Sequence, residues 1–131
     1  MSDGQLLGTT GGRGRVLRFD GGHYVVEMQG HFDASHLSQA LRLVRADSKG
    51  RAESVIFAEG DALESYDRSI LTYYERSTEP FEVGLVGVVL RSPLLRMVAR
   101  AAGLGLVAFS RVRFDVYETL EEALRATQRR R

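Results

Sequence analysis

The chain has 131 residues, 18 Lys and Arg against 17 Asp and Glu for a net charge of +1, and no Cys or Trp. That length suits one domain burying roughly two-thirds of its unfolded surface, while the missing Cys removes disulfides, a thiolate nucleophile and sulfur-ligated zinc, and the balanced charge argues against a dedicated nucleic-acid binder. No apolar run approaches the ~20 residues of a membrane span and no signal-peptide pattern opens the chain, so the expectation is a soluble, cytoplasmic α/β domain.

Residues 1–14 (MSDGQLLGTTGGRG) are rich in glycine and lack an apolar period, which predicts a flexible tail ahead of a domain spanning 15–128. Gly21-Gly22 joins two strands, Arg15–Asp20 and His23–Gln29, into a hairpin. Asp33 is a helix cap, followed by Leu37, Ala40, Leu41 and Val44 at helical spacing, with a stop near Lys49-Gly50. Ser54–Ala58 (SVIFA) reads as a strand buried on both faces. The stripe Leu63, Tyr66, Ile70 and Tyr73 predicts a second helix ending before Pro80, and Val83–Leu90 (VGLVGVVL) a central strand. Ser92-Pro93 caps a third helix whose buried stripe is expected at Leu94, Met97, Val98 and Ala101 and whose end is expected at Gly103 and Gly105. Arg111–Tyr117 alternates as a strand with one wet face. Thr119-x-x-Glu122 is a capping box opening a last helix with Leu120, Ala123, Leu124 and Thr127 inward. Arg129–Arg131 form a basic end, a solvated helix terminus. The order ββαβαβαβα calls for a mostly parallel sheet with an antiparallel start.

Residues able to carry chemistry are few. His31-x-Asp33-x-x-His36 resembles a metal cluster, yet the two His do not share a helical face and Asp33 is well placed as a cap, so no metal is expected. Gly103-x-Gly105-x-x-Ala108 follows a helix instead of a strand, which removes a nucleotide site, and no cofactor is expected. Glu59, Asp61 and Glu64 fall after a parallel strand, where open α/β sheets place ligands, but short acidic runs there commonly serve a helix N-terminus. Ser92 is an anion-binding candidate whose plainer role is the N-cap. No P-loop, nucleophile elbow or H-E-x-x-H motif occurs.

Three stretches resemble the STAS (SpoIIAA-like) group, including its divergent SEC14-like members. FEVGLVGVVLRSPLLRMVARAAGLG is similar to their strand, Ser-Pro or Asn-Pro cap and apolar helix; VRFDVYETLEEALRATQ to their closing strand and helix; and VVEMQGHFDASHLSQAL to their opening. Ala126 and Thr127 stand where those members often carry a Trp and an apolar partner. By layout the resemblance covers Val16–Gln128. It implies an α/β SpoIIAA-like (STAS) right-handed β/α superhelix: a mixed, mostly parallel sheet of about five strands with an antiparallel N-terminal strand and about four helices, largely on one face. The phosphorylatable Asp-Ser-Ser or Asp-Thr-Ser motif of anti-sigma-factor antagonists is matched most nearly by Asp67-Arg68-Ser69-Ile70, in which Arg68 replaces the phosphoacceptor and Ser69 is the phospho-switch candidate.

The implied function is a non-catalytic cytoplasmic regulatory module of bacterial signalling. It would bind a protein partner, or itself, through Ser65, Tyr66, Asp67, Arg68, Ser69, Tyr73 and Tyr74. If helices occupy one face, the doubly apolar central strand leaves the other face needing cover. Two alternatives remain: a small-molecule or lipid carrier lined by the second helix and Leu94–Ala102, and a hydrolase using Asp61, Glu64 or His31.

Overall fold

A computed structural model describes residues 4–10, 14–66, 82–109 and 113–129. In chain order the elements are β1 (Gln5–Thr10), β2 (Gly14–Phe19), β3 (His23–Phe32), α1 (Ala34–Ser48), β4 (Arg51–Tyr66), β5 (Glu82–Val89), α2 (Pro93–Phe109), β6 (Arg113–Tyr117) and α3 (Leu120–Arg129). The six strands lie side by side in sequence order; β1, β2 and β3 pair antiparallel, and β3 to β6 pair parallel.

Local chemistry places the boundaries. Gly21 and Gly22, at φ 86 and 80, turn β2 into β3 in a conformation that only glycine adopts without strain. Asp33 caps α1: its Oδ1 accepts from the His36 N–H at 3.0 Å, while His36 Nδ1 accepts from the Asp33 N–H at 3.4 Å. Asp33 and His36 thus serve the helix end, which accounts for their spacing without a metal. Lys49 takes the left-handed C-cap conformation at φ 58.

The two sheet faces are covered by different helices. Tyr24, Val26, Met28, Val55, Phe57 and Val86 pack beneath Leu37, Ala40, Leu41 and Val44 of α1 and beneath Leu95 and Ala99 of α2. Val25, Ile56, Ala58, Val89 and Tyr117 pack beneath Ala123 and Leu124 of α3. β3 and β4 are therefore apolar on both sides, and each fully buried Val, Ile or Phe contributes about 2 kcal/mol. The face expected to need a foreign cover is closed by the chain's own last helix.

Four further expectations are corrected. Residues 5–10, read as a tail, form β1, with Gln5 opposite Arg18 and Thr10 opposite Gly14. Main-chain pairing to the free edge of β2 needs no side-chain period, and small residues help: a Cβ on Gly8 would lie 2.9 Å from Leu43 Cδ1 of α1. Secondly, β4 continues for 16 residues, so Leu63, Ser65 and Tyr66 are strand residues and not the start of a helix. The cause is β3, which runs on to Phe32 and, past a register shift at Gly30, pairs with Leu63, Ser65 and Tyr66.

Thirdly, α2 runs through Gly103 and Gly105 to Phe109, because a glycine costs a helix only ~1 kcal/mol. Lastly, the apolar stripe assigned to the core in α2 is on the outside. Leu94, Met97 and Val98 are 67%, 65% and 47% exposed, while Leu95 and Ala99 pack inward.

Candidate functional site

The phase of α2 is set at its first turn. Ser92 Oγ accepts from the Leu95 N–H at 3.3 Å, and its carbonyl accepts from the Arg96 N–H at 3.0 Å, so Ser92 acts as the N-cap. Arg96 Nη1 donates to the carbonyls of Leu90 and Arg91 at 2.8 and 2.9 Å, pinning that side of the helix to the end of β5. Glu59 Oε2 accepts from the Arg91 N–H at 2.9 Å. The acidic run after SVIFA therefore does supply an anion beside a helix N-terminus, but to α2 and from within β4.

With that side fixed inward, Leu94, Met97, Val98 and Ala101 face water as one apolar stripe. Arg100 is exposed on the flank beside Met97. From Val83 to Phe114 the chain carries Arg91, Arg96, Arg100, Arg111 and Arg113 and not one Asp or Glu. The exposed apolar ridge is therefore flanked by Arg100, with no acid from α2 itself.

Of the partner residues expected from sequence, Ser65 and Tyr66 lie at the end of β4, opposite His31 and Phe32 of β3. Asp67, Arg68, Ser69, Tyr73 and Tyr74, including the phospho-switch candidate, fall outside the described residues. Asp61 and Glu64 sit in β4 and His31 in β3, on neighbouring strands. The carrier cavity expected along Leu94–Ala102 is not formed by the first turns of α2, since Leu94, Met97 and Val98 are exposed.

A different cavity, of about 310 Å3, opens at the amino ends of the parallel strands and is lined by Gly21, His23, Glu53, Ser54, Leu85, Arg113 and Thr127. The registers place His23, Ser54, Leu85 and Arg113 in one row across β3, β4, β5 and β6. His23 Nδ1 and Ser54 Oγ share a hydrogen bond of 2.8 Å. Sequence reading missed this group because its members lie about thirty residues apart and meet only through strand register, and because it looked to the carboxyl ends of the strands.

Other polar clusters brace the fold. Arg15 holds Glu27 in a bidentate pair at 2.7 and 2.9 Å, and those hydrogen bonds keep the Glu27 carboxyl below its ordinary range. The Tyr24 hydroxyl donates to Asp47 Oδ2 at 2.7 Å, and Arg18 donates to Asp47 Oδ1 at 2.9 Å, tying β2 and β3 to α1. Burial first, then this hydrogen bond to an anion, pushes Tyr24 up to about 12.

No family model matches the sequence, and no curated protein matches it. Among solved structures, the chain is similar to an uncharacterised protein of the DUF3478 family with a SpoIIAA-like fold from Shewanella loihica PV-4. The two are 14% identical, with a TM-score of 0.59 over 87% of this chain and 91% of that one. The fold is SpoIIAA-like. Within it the mixed sheet with an antiparallel start agrees with the sequence expectation, although six strands replace the expected five. Among the described residues, no helix of this SpoIIAA-like domain is long and apolar enough to cross a membrane.

Proposed function

We propose that the chain is a non-catalytic regulatory module of the STAS type, working in cytoplasmic signalling by docking a partner protein on the outer face of α2. One observation carries this reading: Leu94, Met97 and Val98 stand exposed on a helix whose inner face already closes the core. Leaving such a ridge in water forfeits roughly 25 cal/mol for each Å2 of apolar surface, which a partner recovers on binding. Charge favours a partner whose own apolar ridge is edged by Asp or Glu, since exposed Arg100 flanks the ridge and α2 itself carries no acid. A second copy of α2 would bring only further arginine and no acid to this ridge, so a different protein is the better-matched occupant.

Light scattering of the purified chain, followed by cross-linking in lysate with mapping of the joined peptides, tests this. The expected result is a monomer that cross-links from α2 to an acidic, amphipathic segment and loses the adduct in a Leu94→Ser/Met97→Ser variant. A dimer held through α2, or an adduct unaffected by those substitutions, overturns it.

A further inference from the structure

We infer that the cavity at the amino ends of β4, β5 and β6 is a binding site for a small monocarboxylate bearing a hydroxyl or similar polar group at its other end.

Burying a polar side chain is costly unless it is satisfied, and this core is otherwise almost wholly apolar. Among the described residues only Thr10, His23, Ser54 and Thr127 are buried polar side chains, and three of those four line this one cavity. Scattered structural hydroxyls would not gather so. The row beneath them is graded: a ring and a hydroxyl on β3 and β4, an isobutyl group on β5, a guanidinium on β6. From His23 to Arg113 it crosses three strand spacings, about 14 Å between backbones, which suits one small molecule with unlike ends. The volume, about 310 Å3, sits at the small end of ligand pockets and accommodates a single substituted ring.

Each end has a chemical preference. Arg113 is exposed at the mouth and has no ion pair with any described residue, so its donors are available to a carboxylate in the bidentate manner that guanidinium favours. Leu85 gives the body of the ligand an apolar floor. The buried Ser54 hydroxyl, bonded to His23 Nδ1, makes that end of the cavity polar and so favours a ligand hydroxyl there over a methyl group. Thr127 of α3 stands over the row, its own hydroxyl donating to the Leu124 carbonyl at 2.9 Å. Glu53 also lines the mouth beside the Gly21-Gly22 turn, where its negative charge disfavours a second carboxylate. The site is lined from α3, which packs on the sheet face opposite the one that α2 covers, and it does not depend on the docking reading.

The probe is 4-hydroxybenzoate, titrated into the full chain while backbone amide resonances are followed by NMR. The expected result is saturable shifts centred on Gly21, Ser54, Leu85, Arg113 and Thr127. Affinity should weaken on the order of tenfold in Arg113→Gln, which loses one charged partner. 4-Hydroxybenzamide, lacking the charge, and terephthalate, carrying a second one, should bind poorly, and Glu53→Gln should improve terephthalate selectively. Leu94→Ser/Met97→Ser should leave the titration unchanged. Absence of saturable shifts with both 4-hydroxybenzoate and benzoate, or binding indifferent to Arg113→Gln in a chain whose spectrum stays folded, overturns the assignment.

Discussion

α1 and α2 cover the same face of the sheet, yet their sequences do so differently. In α1 the apolar residues Leu37, Ala40, Leu41 and Val44 fall on one stripe, all are buried, and the remaining faces are largely polar. Only one orientation of such a helix is stable. In α2, positions 94, 95, 97, 98, 99, 101 and 102 are all apolar or small, and more than one orientation would bury grease. The cap at Ser92 and the Arg96 contacts choose among them, leaving Leu94, Met97 and Val98 largely uncovered by the described residues. A helix that is greasier than its fold requires has surface to offer something else.

The sharpest way to break this comparison is to truncate one residue from each stripe. Leu41→Ala in α1 should cost about 2–4 kcal/mol in urea unfolding, whereas Leu94→Ala in α2 should stay within about 0.5 kcal/mol. Equal losses would mean that the outer stripe is part of the core. A second difference is the tether: α1 is held to β3 through Tyr24 and Asp47. Because Tyr24 is raised from 10 to about 12 in the folded state, the neutral phenol stabilises the fold fully below pH 10, and that contribution is lost as pH rises toward 12. Tyr24→Phe should flatten this alkaline loss, on the order of 1–2 kcal/mol, as followed by circular dichroism against pH. Smaller still are the caps. Asp33→Ala and Ser92→Ala should each remove about 1 kcal/mol, and a much larger loss for Ser92 would show that it fixes the phase of α2 as well as its end.

Much of this architecture is readable from residues alone, and the failures have physical causes. The SVIFA strand, the caps at Asp33, Ser92 and Thr119, and the inward set Ala123, Leu124 and Thr127 were legible because each depends on spacing within one element. β1 was not, because an edge strand is recruited by backbone hydrogen bonds that any composition can make. The far half of β4 was missed because Leu63 and Tyr66 fit a helical period as well as a strand, and what decides between them is the length of β3. The outer stripe of α2 was misassigned to the core since periodicity cannot rank two apolar faces. The His23–Ser54–Arg113 row was invisible for a further reason: strand register is a long-range property, and no local motif announces it.

The docking reading is tested most directly by placing a photo-cross-linking amino acid at Met97 on the outer face of α2 and, in parallel, at exposed Arg42 on α1, in living cells. The account predicts a discrete protein adduct from Met97, mapping to an acidic and apolar segment of a different protein, and none from Arg42. Adducts of equal yield from both positions, or none from Met97, would contradict it.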